Sequence, residues 1–463
     1  MRIASYQRSD RVGGDEASAM IEADDIQATV LRPRPSPYQG EYLLLRINDA
    51  AQGREMIRRI IPHVAPAVEW WSPSLPGWLG IAFTYKGLEA LEVPQTSLES
   101  FPVEFRQGMA ARAEILHDFG ANAPAHWEYP FGSADLHVAL AIYAQDKQNL
   151  SLVLERAHQS HRDLPEISVV YRMEFGELPG GRNPFGFRDG LHNPQLEGSA
   201  AQQEHGVSTA DFEKPVKSGE VILGYPDVSG EIAAAPVPEE LRRNGTFVAF
   251  RKFHMHVAAF RKYLREQASS PEEEELLAAK MIGRWRSGAP LVLAPDRDDP
   301  QLGADRARNS GFSYADDMSG LKCPFSAHIR RINPRDALKN DIVEVDLHRF
   351  IRRGTNYGPP LPEGLLEDDG AERGGVFLLI GAHVQRQFEF VQSQWVTDGN
   401  FISHGTEQDP IIGNNEGDGI FTIPKHPVRR RLHSLPKFVS VRGGEYCFMP
   451  GLRALRWLAN LDA

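Results

Sequence analysis

Cysteine is scarce in this chain. Only Cys323 and Cys447 occur in 463 residues, and no CxxC pair is formed. Thiolate zinc and iron–sulfur centres are therefore not expected, and two buried thiols in a reducing, cytoplasmic setting are the simplest account. Long apolar runs are missing too; no stretch reaches the roughly 18 residues that span a bilayer. The opening "MRIASYQRSD" has neither an apolar h-region nor twin arginines, so no export signal and no membrane partner are anticipated. Positive charge is in deficit. Lys and Arg number 51 against 62 Asp and Glu, a formal charge of -11, which argues against a general nucleic-acid binder. The local basic cluster "HPVRRRLH" near Pro427 reads as a solvated loop. Finally, GxxxxGK[ST], HExxH and GxSxG are all absent, which removes several common hydrolase and nucleotide-binding chemistries.

What remains is the composition of a soluble globular protein, 41% hydrophobic and 24% charged, long enough for two or three domains. Residues 1–38 are polar and end in "RPRPSPYQG", which reads as an extended lead-in. The apolar run Tyr42 to Ile47 reads as a strand. Met56, Ile57, Ile60 and Ile61 then share one helical face. "GWLGIAFTYKGLEAL" reads as strand into short helix, "SADLHVALAIYAQD" as a strand followed by a helix through Leu150 to Leu154, and "ISVVYRMEF" as a strand. The order β-α-β-(α)-β-α-β matches a ferredoxin-like unit with an insertion around "SFPVEFRQGMAARAEILHDFG". The second half repeats the theme. Strands are expected at "GEVILGYPD", "GTFVAFRKFHMH", "GVFLLIGAHV" and "GGEYCFMPG". Helices are expected at "VAAFRKYLREQ", "PEEEELLAAKMIGRW" and "QRQFEFVQSQWV". This divides the chain into a lead-in (1–38), an N-terminal unit (39–195) and a C-terminal unit (196–463). Residues 288–327 and 396–438 are loops rich in Gly, Pro, Asp and Asn, of a length that is often functional.

Three stretches carry candidate chemistry. In "NPFGFRDGLHNP", Asp189 sits in an Asp-Gly pair, for which a plain turn is the ordinary explanation. The Phe-Gly-Phe setting suggests burial instead. The glycines would let the backbone approach a flat ligand, and a carboxyl near an apolar surface suits proton relay. In "KCPFSAHIRRINPRD", His328 is followed by Arg330 and Arg331. A lone histidine is more often a structural hydrogen-bonder, but neutral imidazole with cations nearby fits haem iron and its propionates. In "HRFIRRGTNYGPPL", Arg352 and Arg353 point to opposite sides of a strand, so one at most faces a site. A guanidinium there would steady negative charge developing on oxygen. His254 and His256, two apart, lack a third ligand and read as structural.

Together "GFRDG", "CPFSAHIRRINPR" and "IRRGTNYGP", with "NGTFVAFRKF", "GRWRSGAPL" and "RQFEFVQSQW", resemble the dye-decolorizing peroxidases in order and spacing. The resemblance is strong over about residues 180–460 and weaker before, where "DLHVALAIYAQD" is the best match. It implies an α+β protein of two ferredoxin-like domains, of the dimeric α+β barrel type, holding haem b mainly in the second. It implies His328 as proximal iron ligand, Asp189 as distal acid–base residue and Arg352 as distal arginine, with Arg353 as the fallback. Arg330, or else Arg331, would bind a propionate, and Gly186, Phe187 and Gly190 would lie against the macrocycle. Hydrogen peroxide would be reduced and organic electron donors such as dyes or phenols oxidised, through surface aromatics for which Tyr357 and Trp395 are the candidates. Relatives often carry a carboxylate or amide after the "GVFLLIGA" strand as partner of the proximal histidine. His383 stands there here, with Glu389 as the other candidate. Homodimers or larger assemblies would fit the family. The competing readings are a haem carrier or iron-handling protein using the same His328, and a haem-free scaffold.

Overall fold

The computed structural model describes residues 20–69, 76–199, 215–338, 343–401 and 405–461. Its frame is a nine-stranded sheet of β1 (Gln39–Ile47), β2 (Gly77–Phe83), β3 (Val138–Ala144), β4 (Ile167–Gly176), β5 (Thr246–Met255), β6 (Ile351–Arg352), β7 (Thr355–Tyr357), β8 (Gly374–Gly381) and a further strand, Val439–Met449. The pairing order is β4-β1-β3-β2, then Val439–Met449, β5, β8 and β6, with β7 also on β8. All pairings are antiparallel. Within each half the first strand lies between the last and the third, and the second is outermost. This is the ferredoxin-like order, met twice in one sheet. The halves join through a single register pair, Phe83 with Phe448, and the far edges, β4 and β7, lie against each other. The sheet therefore curls on itself and shields edges that would otherwise be open. This is the expected α+β class.

Why these strands form is plain from burial. Every residue of β2, β3 and β5 is buried, as runs covered on both faces must be. Inside the curl, Tyr42, Tyr143 and Phe175 of the first half meet Phe250 of the second; Tyr42 and Phe250 have ring centroids 5.2 Å apart. Outside, helices cover the sheet. Ala50–Ile60 is capped by Asp49 and buries Met56, Ile57 and Ile60. Pro271–Ile282 is capped by Ser270, with three glutamates in its first turn that favour the positive end of the helix dipole. Both expected helices are thereby formed. Among the described residues no helix is long and apolar enough to cross a membrane.

Three expectations change. "GEVILGYPD" is not a strand: Ser218–Glu220 form one 3-10 turn. Val221, Ile222 and Leu223 are then fully buried without joining a ladder, because Gly224 (φ +88°) turns the chain and Pro226 cannot donate. "HPVRRRLH" is not a loop throughout, since its second half begins β10 (Arg430–Leu435), which pairs with β9 (Gly419–Ile423). The lead-in is more than extended chain. Ala28–Leu31 is a buried helical turn, and the residues after it enter the site described next.

Candidate active site

The loop carrying Asp189 is built by its own side chains. Asn183 accepts from the Phe187 N–H at 3.1 Å, and the Asp189 N–H reaches the Gly181 carbonyl at 2.9 Å. Gly186 (φ +89°) and Gly190 (φ +69°) adopt backbone conformations that other residues rarely take. A Cβ on Gly186 would meet an Arg286 nitrogen at 2.7 Å, and one on Gly190 an Arg34 nitrogen at 3.0 Å. Each glycine thus makes room for an arginine. Phe187 is buried beneath the Arg286 guanidinium, 4.9 Å from the ring centre.

Asp189 Oδ1 accepts its neighbour Gly190 N–H at 2.7 Å, and Oδ2 accepts from Arg34 Nη2 at 2.8 Å. The aspartate side chain keeps 34% of its surface open to solvent. Burial raises its pKa, but the Arg34 charge and hydrogen bond, the Gly190 N–H and the Arg352 charge outweigh that and hold it below the usual carboxylate value. Asp189 is a carboxylate that water can reach.

Arg352 and Arg353 part ways as alternation on a strand requires. Arg353 is buried and spends its donors on the Thr29 and Val30 carbonyls of the helical turn. Arg352 is half-buried on the other face, opposite Leu379 of β8. Its backbone N–H is held by Asn193 at 2.7 Å, and its Nη2 donates to the His192 carbonyl at 2.5 Å. Both partners come from the Asp189 loop. Burial lowers its pKa and Asp189 opposes that, yet a guanidinium stays charged.

His328 opens the short helix His328–Ile332. Its Nδ1 lies 2.8 Å from Asp409 Oδ2. Asp409 is fully buried, and its Oδ1 accepts the Ile411 and Ile412 N–H groups at 2.8 and 2.9 Å. Burial raises the Asp409 pKa, but the His328 ring and these two amides lower it further. An ionised carboxylate only accepts, so Nδ1 carries a proton, and in the neutral ring the lone pair is on Nε2. Nε2 has no hydrogen-bond partner among the described residues, and a quarter of the side chain is exposed. This donor set fits an iron ligand.

A tight turn connects the two clusters. A Cβ on Gly283 would strike Ile329, one residue past His328, and a Cβ on Gly288 would strike Leu191, two residues past Asp189. The Arg188 N–H also donates to the Arg286 carbonyl. Residues 283–288 therefore touch both the histidine helix and the aspartate loop.

Several candidates stand elsewhere. Arg330 and Arg331 are fully buried. Arg330 holds Asp317 and the Cys323 carbonyl between the Tyr314 and Phe325 rings. Arg331 holds the Trp395, Asp398 and Glu407 carbonyls. Their donors brace the fold, so the propionate role does not follow from this geometry. Glu389 grips Arg112 through both oxygens and accepts from Tyr446. His383 lies 3.7 Å from Asp227, with burial lowering its pKa to about 4. Asp409, not either of these, partners His328. Tyr357 and Trp395 are 6% and 3% exposed and are not surface residues. Cys323 and Cys447 are free and buried, and burial raises the Cys323 thiol to about 12, which rules out a resting thiolate there. His254 bonds Glu372 and His256 bonds Ser440, and no three-residue metal cluster occurs among the described residues.

Two site residues escaped the sequence reading. Asp409 stands in "EQDPIIGNN" within the long loop 396–438, whose length was its only signal. Arg34 lies in the proline-rich lead-in, where nothing marked it.

The likeness to known proteins runs the length of the chain. Residues 25–175 match the model of the DyP dimeric alpha+beta barrel domain. Identity is 32% over 465 residues with a dye-decolorizing peroxidase of Exidia glandulosa and 30% over 468 with AauDyP1 of Auricularia auricula-judae. Each match covers 95% of this chain and 87% of the relative. An ancestral D-type dye decolorizing peroxidase superposes with TM-score 0.83 at 29% identity, covering 95% of this chain and 99% of the other. A dye-decolorizing peroxidase in complex with 2,6-dimethoxyphenol does so with TM-score 0.82 at 26% identity, covering 96% and 100%. A histidine with one nitrogen tied to a buried carboxylate, on a helix that touches the same turn as the loop of an ionised aspartate, thus occurs in a chain that matches these enzymes nearly end to end: it belongs to the dye-decolorizing peroxidase family and is a haem-dependent peroxidase.

Proposed function

We propose that the chain reduces hydrogen peroxide at a haem b held by His328, with Asp189 as proton carrier and Arg352 as the charge that meets the peroxide oxygens. The observation that carries this is the asymmetry of His328, one nitrogen fixed by sealed Asp409 and the other unclaimed. Haem b is favoured over a covalently attached haem because the two cysteines form no CxxCH. When bound, the haem supplies an electrophilic iron for peroxide and a store for two oxidising equivalents. Asp189, ionised and open to water, takes the proton from the inner peroxide oxygen and returns it to the outer one, which leaves as water. Acid–base help of this kind contributes roughly 10²–10⁴-fold. Arg352 steadies the negative charge on the departing oxygen, a contribution on the order of 3 kcal/mol by comparison with other oxyanion donors.

The two electrons come from organic donors, and phenols and dyes are proposed on the strength of the dimethoxyphenol complex of the relative. With boundaries at 39–195 and 196–463, Asp189 belongs to the first unit and His328 and Arg352 to the second, so the reaction runs where the two meet. The unpaired thiols support a cytoplasmic location. A haem carrier would need His328 but has no use for an aspartate held ionised beside an arginine.

The test is an absorption spectrum of the purified chain followed by rapid mixing with peroxide. A Soret band that is lost in His328→Ala, and that changes within milliseconds of mixing, is the expected result. A band retained undiminished in His328→Ala overturns the ligand assignment.

A further inference from the structure

Arg34 makes more of Asp189's environment than any other side chain, yet it comes from the segment before the first strand. Three contacts fix its guanidinium. Nη2 donates to Asp189 Oδ2 at 2.8 Å, Nη1 donates to the Gly354 carbonyl, and the group lies over the Tyr38 ring with its central carbon 4.4 Å from the centroid. Nη1 also reaches the Tyr38 hydroxyl at 3.4 Å. That hydroxyl accepts from both the backbone and side-chain nitrogens of Asn356, each at 3.2 Å. The cation is thus tied to the turn between β6 and β7, two residues past Arg352, and is only 16% exposed. The absence of a Cβ at Gly190 leaves the space it fills.

We propose that Arg34 is a positioning residue for Asp189, pinning carboxylate oxygen Oδ2 so that it does not close onto Arg352 and Arg352 stays available to peroxide. This rests on the reading of Asp189 as proton carrier. The charged and titratable groups facing Asp189 are Arg34 and Tyr38 from the lead-in and Arg352 from β6, with the Gly190 N–H from its own loop. If Arg34 is removed, two things follow. The carboxyl loses its nearest cation in a setting where burial favours the neutral acid. The remaining cation, Arg352, then becomes its only ion-pair partner among these groups, and a closed Asp189–Arg352 pair would occupy both catalytic groups.

The experiment uses the full chain loaded with haem, as wild type, Arg34→Gln, Arg34→Lys and Asp189→Asn. Two profiles are read against pH. One is the single-turnover rate of peroxide reaction, followed as loss of the resting Soret band. The other is the affinity for cyanide, whose acid form must give up its proton on binding. In Arg34→Gln the acid limb of both profiles is expected to move up by about one pH unit or more, a tenfold loss at a pH between the limbs. Arg34→Lys, which keeps the charge, restores most of the shift. If Arg34→Gln does not load haem, Arg34→Met keeps the aliphatic stem on Tyr38 and is read the same way. Superimposable profiles for wild type and the uncharged variant overturn the proposal, as does an equal shift in the glutamine and lysine variants. Asp189→Asn separates the two levels. If it reacts at the wild-type rate, the acid–base reading itself fails; if it is slow while Arg34→Gln is unmoved, only the role of Arg34 fails.

Discussion

Two aspartates organise this site, and they are held in opposite ways. Asp409 is sealed: no surface is exposed, one oxygen takes two backbone N–H groups and the other takes the His328 ring. Asp189 is open: a third of its side chain is exposed, and one oxygen pairs with the Arg34 side chain. Both are pushed below the usual carboxylate pKa against the cost of burial. The difference is access. A carboxylate with no exposed surface and both oxygens bonded inside the protein can orient a histidine but cannot exchange protons with a small molecule. A carboxylate partly open to solvent can exchange protons, provided something else keeps it charged.

The sharpest break of this contrast is Asp189→Asn. It keeps the shape and removes the base, so the peroxide reaction should slow by roughly 10²–10⁴-fold with the Soret band intact. Stopped-flow rates check this, and an unchanged rate would leave Arg352 as the main catalyst. Asp409→Asn should act on the other axis. An amide offers one acceptor where the site needs two, so a donor faces either the His328 N–H or the Ile411 and Ile412 N–H groups. The cost should be about 1–3 kcal/mol of stability, read as a lowered melting temperature. Metal-site partners of this kind also typically account for about 10–100-fold in affinity, so haem should dissociate faster, read by transfer to apomyoglobin.

The same contrast explains what could be read from the sequence. His328, Asp189 and Arg352 stand in short motifs, and alternation along a strand was enough to put Arg352 and Arg353 on opposite faces, while the choice between them came from the resemblance. The β1–β4 unit was legible because its apolar runs match strand and helix periods. Partners were not legible. Asp409 is 81 residues beyond His328, and Arg34 is 155 before Asp189. Arg330 and Arg331 look like ligand-binding cations in one dimension, yet helix packing turns both inward, Arg330 onto Asp317 and a carbonyl and Arg331 onto carbonyls. The run Val221 to Leu223 has strand composition, but the turn at Gly224 and the missing donor of Pro226 end it before it can join a ladder.

Acidity tests the open aspartate. A depressed carboxyl contributes its ionised-state stability above the unfolded value, near 3.9, and loses it as pH falls through the folded value. For Asp189 the base is therefore present through mildly acidic conditions. The single-turnover rate should hold through mildly acidic conditions, with its acid limb below the ordinary carboxyl value. A limb centred near pH 6 would mean that Arg34 does not govern this group.

The smallest expected effect comes from Gly190→Ala. At φ +69° an alanine is strained by about 1–2 kcal/mol, and its methyl would sit 3.0 Å from Arg34 Nη2. The arginine can yield by a few tenths of an ångström, because it is the far end of a flexible side chain. Its bond to Asp189 then lengthens while the Gly354 anchor remains. Stability should drop by the strain alone, and the acid limb of the peroxide profile should move up by less than in Arg34→Gln. A limb that does not move while the melting temperature falls would show that Gly190 is kept for its backbone conformation only, and that the space beside Arg34 is incidental.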